Sequence, residues 1–508
     1  MNRQDWKRDV KSDGTSGYEV VFVVVAINLL FCSFGLAVEQ VTVDLTKPLI
    51  ISSFEIGITH TQGSNGAWEY GNSGSVASAK SLLVNGNVDF QNTHIMGWGC
   101  RNPEPSPGSY DWTDLDHRIN DLIVPMSAYS IPVITFCTAP GWMKTSGSDW
   151  NMDDRVADDH VADFADLCKK TAQRYPNVQH FQVWNEMKGY WNSSMNNWDY
   201  TRYTTLYNAV YDAVKSVRPD AKIGGPYIAI QGDGADTIGR YGTDTYAPIR
   251  PQDWAVINYW LANKHGADFF CFDYWLIDWH DKASYTQNEK MQLTHFFGSV
   301  VAQIRAVEPN LPLWISEFYG GMVGDPLSGD PLSVFTAANH ASCYYHCLIN
   351  DADLGLIWNP EAGEIANPLF TDTKNSGGGL PTPHYNVVKA FNNYFYPGTQ
   401  IYETTSSTAN LEVLGSLDKT MLINKSSSPI TATLDHNDIS LAGYEVKVVN
   451  TRSGAVNFED FAVFGSYYLK DIPCTAPDYC AGYDYDQNGT VDILDLSQFA
   501  SSWLVPMN

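Results

Sequence analysis

Basic residues are scarce in this chain. Its 508 residues include 31 Lys and Arg against 57 Asp and Glu, which gives a formal net charge of −26 at pH 7. Because nucleic acids and anionic membranes attract proteins through clustered positive charge, we expect neither as a partner. Hydrophobic residues make up 44% of the chain, so the sequence can bury a large core and does not have the composition of a disordered protein.

Long apolar runs are also missing, apart from one near the N-terminus. Residues 20–37 carry no charge and consist of VVFVVVAINLLFCSFGLA, behind several basic residues. This pattern predicts an export signal within residues 1–38 that is cleaved after the small-x-small sequence GLA. The alternative is a retained N-terminal anchor, since about 18–20 apolar residues can span a bilayer. Either way, we expect a secreted or cell-surface protein.

Metal-binding cysteine patterns are absent as well. Cys343 and Cys347 lie four apart on a predicted helix, but no second ligand pair accompanies them, so we interpret them as packing residues rather than zinc ligands. Cys474 and Cys480 flank a short loop near the C-terminus. In an exported protein they are the best candidates for a disulfide.

Strand-like apolar runs alternate with amphipathic helical segments about eight times between residues 53 and 396. The predicted strands are SFEIGITH, THIMGWG, IPVITFC, HFQVWNE, AKIGGPYI, FFCFDYW, LPLWISEF and GLIWNP. Continuous apolar strands separated by helices predict a parallel sheet, and eight such units predict a closed (β/α)8 or TIM barrel. The alternative, an open doubly wound sheet, requires a phosphate-binding glycine loop after the first strand, and GITHTQGSNG does not have that pattern.

The composition changes beyond the barrel. Residues 397–450 are rich in Ser and Thr and alternate in short runs such as GYEVKVVN, which predicts a small β-sandwich. Residues 39–52, before the barrel, are expected to add a strand to it. Residues 451–508 contain an internal repeat, in which GAVNFEDFAVFGSYYL is followed by GTVDILDLSQFASSWL. This last region is predicted to be an EF-hand-like helical module.

Calcium is the metal that the second copy of the repeat predicts. It is preceded by DYDQNG, which sets oxygen-bearing side chains at the spacing of an EF-hand loop, with Gly489 at the sharp turn. The predicted ligands are Asp484, Asp486, Asn488, Thr490, Asp492 and Asp495. In the first copy Val449, Thr451 and Ser453 replace acidic ligands, so we expect no metal there. The paired module resembles the dockerin domains of secreted polysaccharide-degrading enzymes, and this resemblance implies a cohesin-like scaffold protein as partner.

Two glutamates follow predicted barrel strands. Glu186 ends the fourth strand in WNE, and Glu317 ends the seventh in WISEF. Because a barrel presents catalytic groups at the carboxyl ends of its strands, the two carboxylates should face each other. Such a pair carries out glycoside hydrolysis, with carboxyl groups about 5–5.5 Å apart in the retaining mechanism. The 16 Trp and 29 Tyr of the chain are typical of sugar-binding proteins, although a large core also explains them.

These motifs resemble a known group of enzymes. The glutamates after the fourth and seventh strands are similar to those of clan A, the large clan of retaining (β/α)8 glycoside hydrolases. Within that clan, SFEIGITHTQ, PSPGSYDW, TAPGWM and FQVWNE most resemble family 39, which contains β-xylosidases and α-L-iduronidases. The resemblance implies that Glu186 is the acid/base and Glu317 the nucleophile, with no cofactor for catalysis.

Further residues near the strand ends are expected to contact the substrate or the carboxylates. Asn185 is expected to hydrogen-bond the sugar 2-OH and Tyr274 to donate to Glu317, with Asp273 and Trp275 as alternatives to Tyr274. Trp358 is expected to form a stacking floor. For three other residues, substrate contact and core packing are both open: Trp98, Trp142 and His60.

The predicted activity is hydrolysis of plant or algal polysaccharides or their oligosaccharides, with β-xylosidase-like exo-action first. An endo-acting glycanase on the same barrel is the first alternative. A catalytically silent carbohydrate-binding protein is the second, and the presence of both Glu186 and Glu317 disfavours it.

Overall fold

The described part of the molecule begins after the predicted export signal. The computed structural model describes residues 38–61, 71–231, 249–275, 285–320, 333–361, 368–452, 458–468, 473–474, 480, 483–485 and 487–502. The apolar run at 20–37 therefore lies outside the described residues. Within them, none of the helices combines the length and the apolar character needed to cross a bilayer.

The fold alternates strands and helices along most of the chain. The strands are β1 (Val38–Ile51), β2 (Glu55–His60), β3 (Phe90–His94), β4 (Ile131–Phe136), β5 (His180–Val183), β6 (Trp191–Asn192), β7 (Asn197–Trp198), β8 (Lys222–Gln231), β9 (Phe269–Trp275), β10 (Leu313–Tyr319), β11 (Leu354–Trp358), β12 (Gln400–Ser406), β13 (Leu411–Ser416), β14 (Lys419–Asn424), β15 (Ile430–Leu434), β16 (Asn437–Leu441) and β17 (Val446–Asn450). The α-helices are α1 (Ser73–Asn85), α2 (Thr113–Asp116), α3 (Val161–Arg174), α4 (Tyr200–Lys215), α5 (Pro251–Asn263), α6 (Gln287–Leu293), α7 (Phe296–Val307), α8 (Val334–Ile349), α9 (Pro383–Tyr394), α10 (Phe458–Tyr467) and α11 (Ile493–Ser502). A π-helical segment, His117–Ile123, continues α2, and short 3₁₀ helices cover Gly141–Met143 and Asp158–His160.

Eight parallel strands close into a barrel, which confirms the predicted TIM-barrel architecture. Their order around the barrel is β2, β3, β4, β5, β8, β9, β10 and β11, and β11 pairs with β2 to close it. Apolar side chains fill the interior: Val133, Tyr227, Phe269, Cys271, Trp314, Leu354 and Leu356. A larger buried cluster packs the outer faces of the strands against the helices. Both faces of the strands are thus buried, which explains their continuous apolar sequences.

The second barrel strand differs from the prediction. THIMGWG, residues 93–99, was expected to be the strand, but β3 covers Phe90–His94 and ends before Gly97. Gly97, Trp98 and Gly99 have φ angles of 70°, 40° and 100°, which are incompatible with an extended strand. Residues 95–99 therefore form a loop at the carboxyl end of the strand, and this loop carries Trp98.

The predicted β-sandwich is one continuous sheet by its hydrogen bonding. Its strand order is β16, β15, β1, β12, β13, β14 and β17. The long strand β1 pairs with β12 on one side and with β15 on the other, so it joins what would otherwise be two separate groups of strands. Its pairing with β12 shifts register around Pro48. A small core lies within this sheet: Val41, Leu411, Val413, Leu422, Ala432, Leu434 and Leu441.

The C-terminal repeat forms two helices that contact each other. Phe464 of α10 and Phe499 of α11 occupy equivalent positions in the two copies, and their ring centroids are 4.6 Å apart. Cys474 and Cys480 form the predicted disulfide between the copies. In the first, degenerate copy of the repeat, Val449 occupies the position of the first calcium ligand of the loop. This residue lies in strand β17.

The cysteines expected to be packing residues are buried thiols. Cys343 and Cys347 both lie on α8, and each is fully buried and free. They belong to the buried core together with neighbouring aromatic residues of the same helix, as expected of packing residues.

Candidate active site

Three carboxyl groups meet at the carboxyl ends of the barrel strands. Glu186 follows β5, Asp273 lies in β9 and Glu317 lies in β10, and one carboxylate oxygen of each is within 4.8 Å of the others. Asp273 is completely buried and Glu317 is 4% exposed, whereas the side chain of Glu186 is 19% exposed. The two glutamates singled out in the sequence are therefore neighbours in the fold, and Asp273 joins them. We call these three residues the carboxyl cluster.

A β-bulge aims Glu317 into the barrel. Ile315 of β10 lies opposite Phe272 of β9, but Glu317 lies opposite the very next residue, Asp273, so β10 contains one extra residue. Such a bulge changes which side of the strand the following side chains occupy, and bulges of this kind are common beside active sites. Phe318, the next residue, packs against Phe297 of α7 on the outer face, with 4.4 Å between ring centroids.

A tight loop after β5 positions Glu186. Trp184, Glu186 and Met187 have φ angles of 72°, 48° and 55°, a backbone region that costs non-glycine residues about 1–3 kcal/mol each. The fully buried Trp184 anchors the loop, because its Nε1 donates to the carbonyl oxygen of Lys188 at 2.8 Å and its ring packs on Phe164. Strained residues of this kind persist only where packing determines the backbone, and they cluster at functional sites.

A hydrogen-bonded chain links the two glutamates. Asn185 Nδ2 donates to Glu317 Oε1 at 2.7 Å, and the hydroxyl of Tyr319 donates to Glu317 Oε2 at 2.7 Å. Lys188 Nζ donates to Asn185 Oδ1 at 2.6 Å and forms an ion pair with Glu186. Both carboxylate oxygens of Glu317 thus accept hydrogen bonds, which favours its ionised form. The ammonium group of Lys188 forms the ion pair with Glu186.

Burial and mutual repulsion govern the protonation of the cluster. Burial, followed by the charge of Glu186, raises the pKa of Glu317 to about 7, against the opposing effects of Lys188, Tyr319 and Asn185. For Asp273, burial and then the charges of Glu317 and Glu186 raise the pKa well above its usual range. Burial on its own would lower the pKa of Lys188, but the carboxylates of Glu186 and Glu317 outweigh it and raise the pKa. The site therefore holds protons near neutral pH beside a charged lysine.

Aromatic rings form one side of the site. Trp98 and Trp358 lie edge to face with centroids 5.9 Å apart, and His94 lies 4.2 Å from the first ring and 5.6 Å from the second. Lys188 Nζ is 5.6 Å from the centre of the Trp98 ring, which connects this aromatic group to the carboxyl cluster. His94 is fully buried, neither ring nitrogen has a partner among the described residues, and burial lowers its pKa well below the usual value. It is a neutral group with unused hydrogen-bonding capacity.

The expected role of Tyr274 is not supported. Its ring is fully buried and packs edge-on against Phe297 of α7, with centroids 4.7 Å apart, on the outer face of the barrel. Successive side chains of a strand point to opposite faces, so when Asp273 points inward Tyr274 points outward. Tyr319 is the tyrosine that donates to Glu317, and Asp273, the alternative considered for this strand, is the residue beside it.

Two other predicted substrate residues have contacts of their own. His60 is fully buried with Nε2 3.0 Å from Gln91 Oε1, and burial, assisted by Arg118, lowers its pKa to about 3. Trp142 is half-buried, and its Nε1 donates to the carbonyl oxygen of Glu104 at 2.8 Å. These contacts favour a structural role for both residues.

The predicted calcium loop has part of its ligand set in the described residues. The carboxyl group of Asp484 accepts hydrogen bonds from the backbone N–H groups of Asn488 and Gly489, at 3.1 and 2.9 Å. The carboxyl group of Asp495 accepts one from the N–H of Tyr485 at 2.6 Å. Both aspartates are buried, and Gly489 has a φ angle of 96°, as the sharp turn requires.

The remaining predicted ligands are more exposed. Asn488 and Thr490 are exposed and Asp492 is half-buried, and Asp486 lies outside the described residues. Oxygen donors on a turn that leads into α11 fit a calcium ion in chemical type. Calcium binding by this loop stays a prediction.

Comparison with known proteins finds solved structures of similar fold. No protein-family model matches the sequence, and neither does any curated protein. The structure is similar to SrfJ from Salmonella typhimurium, with 16% identity, a TM-score of 0.60, and coverage of 82% of this chain and 93% of that one. It is similar to a monomeric beta-xylosidase from Caulobacter crescentus CB15 (17%, 0.51, 76% and 76%) and to the catalytic domain of GH30 xylanase C from Talaromyces cellulolyticus (12%, 0.51, 81% and 97%). At these identities the likeness establishes a shared TIM-barrel fold.

Proposed function

We propose that this chain is a retaining glycoside hydrolase in which Glu186 and Glu317 are the catalytic pair. The observation that carries the proposal is their placement: two carboxyl groups within 4.8 Å of each other at the carboxyl ends of barrel strands, beside an aromatic group. This separation is compatible with the roughly 5–5.5 Å of retaining enzymes and too short for the water that an inverting enzyme must fit between its carboxyl groups.

Each glutamate suits one role. Glu317 is held by Asn185 and Tyr319, so its carboxylate is oriented to attack the anomeric carbon and form a glycosyl-enzyme. Glu186 is the more exposed of the two, so it can reach the leaving oxygen and protonate it. Once the sugar is attached to Glu317, that negative charge is gone, and Glu186 can act as base toward the incoming water. The ion pair between Lys188 and Glu186 must open before Glu186 takes up the proton that it then donates to the leaving oxygen.

The substrate class follows from the surroundings of the pair. The half-buried Trp98 offers an aromatic face for a pyranose ring, and the buried Trp358 and His94 pack against it. The negative charge of the whole chain favours a neutral glycan. We infer plant or algal polysaccharides or their oligosaccharides, with β-xylosidase-like action first. An endo-acting glycanase is the alternative, and the similar structures include one protein named as a xylosidase and one named as a xylanase.

A panel of aryl glycosides and polysaccharides tests the proposal directly. We expect turnover on at least one class, with the anomeric configuration of the first-formed product retained when it is followed by NMR. Glu317→Gln is the matched control, because it keeps the shape of the side chain and removes the nucleophile, and it should lower kcat by at least about 10³-fold. Equal rates for the variant and the wild type would overturn the assignment, and binding without turnover would favour a silent carbohydrate-binding protein.

We also propose that the protein is secreted or displayed at the cell surface and that residues 451–508 form a calcium-binding, dockerin-like module. Calcium would be held by the oxygens of the predicted loop and would stabilise it, with no part in catalysis. In a calcium titration followed by NMR, the signals of residues 484–495 should become those of an ordered loop. The Asp484→Ala variant should show no saturable response to calcium. Identical spectra with and without calcium would contradict the metal prediction. Binding of a cohesin-like partner should then depend on calcium.

A further inference from the structure

Asp273 is the member of the carboxyl cluster that the proposed mechanism does not use. It lies opposite Glu317 in the pairing of β9 with β10, and its carboxyl group is within 4.8 Å of both glutamates. The side chain is completely buried, and neither oxygen makes a hydrogen bond of normal geometry to a described residue; the backbone N–H of Glu317 and the charge of Lys188 favour its ionised form, but burial and the two glutamates outweigh them. A buried carboxylate without donors is unfavourable by several kcal/mol, so this residue requires an explanation.

The charges around Asp273 do not compensate a third negative group. The titratable groups that face it come from the loop after β5 and from β8, β9 and β10: Glu186, Lys188, Tyr227, Cys271, Glu317 and Tyr319. Among these described neighbours Lys188 alone is cationic, and it already bonds Glu186 and Asn185. Two glutamates thus share one ammonium group, and the pocket has no further cation for Asp273 among the described residues.

We propose that Asp273 is a positioning residue that carries a proton at neutral pH and places a neutral carboxyl group beside the catalytic glutamates. This inference rests on the proposed function, in which Glu186 and Glu317 are the catalytic pair. A neutral Asp273 lets Glu317 ionise without a second negative neighbour, and its O–H group is a donor within reach of either glutamate after small movements. The direction of its pKa, raised by burial and by both glutamates, is consistent with this role.

Two substitutions separate the charge of Asp273 from its ability to donate a hydrogen bond. Asp273→Asn keeps shape, neutrality and a donor, so kcat/KM should fall only about fivefold, and both limbs of its pH profile should stay where the wild type has them. Asp273→Leu has no donor and should lose at least about tenfold more than the Asn variant. If Asp273 were ionised, the Asn variant would remove a neighbouring charge and move both limbs down by roughly one to two pH units. That shift, or a Leu variant as active as the Asn variant, would overturn the proposal.

An infrared measurement tests the protonation without using the reaction. The difference spectrum of wild type minus Asp273→Asn at pH 7 should contain the C=O stretching band of a protonated carboxylic acid. A pair of carboxylate bands in its place would overturn the proposal. Since this experiment needs no substrate, a chain without glycosidase activity would refute the proposed function and still leave the state of Asp273 decided.

Discussion

The barrel holds a carboxyl group of raised pKa at each of its ends, buried at the carboxyl end and half-buried at the amino end, and the two groups have different surroundings. At the carboxyl end, Glu317 is bonded by Asn185 and Tyr319 and lies near the ammonium of Lys188. At the amino end, Glu55 opens β2 beside Asp89, and burial and then the charge of Asp89 raise its pKa to about 7. No described donor or cation opposes that effect.

The difference shows that burial of acids alone does not identify a catalytic site. Both ends shift carboxyl groups to similar pKa values, about 7 for Glu317 and about 7 for Glu55. Of these two glutamates, only Glu317 has side-chain donors and a nearby cation among its described neighbours, and these orient its charge. The carboxyl end of the strands is also where TIM-barrel enzymes place their catalytic residues, while the amino end usually serves stability.

Glu186→Gln should give the largest effect that distinguishes the two ends. Removal of a general acid affects leaving groups that need a proton far more than those that do not, by about 10²–10⁴-fold. We therefore expect kcat to fall strongly on alkyl and natural glycosides and little on dinitrophenyl glycosides, measured over a series of leaving groups. A uniform loss across the series would contradict the acid role of Glu186. Glu55→Gln is the matched control and should leave the series unchanged.

Lys188→Met should have a smaller effect on activity than Glu186→Gln. It removes the cation near Glu317, so that Glu317, like Glu55, has no described cation beside it. The ammonium of Lys188 lowers the pKa of Glu317, which is about 7 in its presence. Loss of the cation should therefore move the acidic limb of kcat/KM to higher pH and reduce activity at pH 6 by about tenfold or more. Lys188→Arg should keep the limb in place. An unshifted limb in the Met variant would mean that Lys188 does not interact with the ionising group.

Glu55→Gln should have the smallest effect and act on stability. The folded pKa of Glu55 is raised to about 7, so the folded state binds more protons than the unfolded chain between roughly pH 4.5 and 7. The stability that this protonation contributes is present below the unfolded pKa and is lost as pH rises through about 7. The variant should exceed the wild type by about 1–2 kcal/mol in unfolding free energy at pH 8.5, with a smaller difference at pH 4. Equal stability at both pH values would show that Glu55 is solvated in the folded protein.

Much of the fold follows from local sequence patterns. Continuous apolar runs gave seven of the eight barrel strands close to their observed positions, because a strand buried on both faces has no other composition available. The second strand was displaced because THIMGWG is apolar enough to resemble a strand, while its glycines adopt a left-handed backbone that apolarity does not reveal. The single sheet was missed because β1, which joins the two groups of strands, lies about 350 residues before them in sequence, and a local pattern does not reveal its two partners.

The site was predicted in part. The glutamates could be found because each follows a predicted strand, but a bulge in β10 and the loop after β5 decide where they point, and neither has a sequence signal of its own. Tyr319 could have been found by alternation, because it lies two residues beyond Glu317 on the same strand. Strict alternation along β9 would also have favoured Asp273 over Tyr274. Lys188 and His94 become neighbours of the pair only through tertiary packing.

The central claim is that Glu317 forms the covalent bond to the sugar. Its most direct test is to incubate the wild-type protein with a 2-deoxy-2-fluoro glycoside of the sugar that the panel selects, which slows release of the glycosyl-enzyme, and to locate the label by peptide mass spectrometry. The account predicts a single adduct on the peptide that contains Glu317, at that residue. An adduct on Glu186 or Asp273, or turnover of the parent glycoside with inversion and no adduct at all, would contradict it.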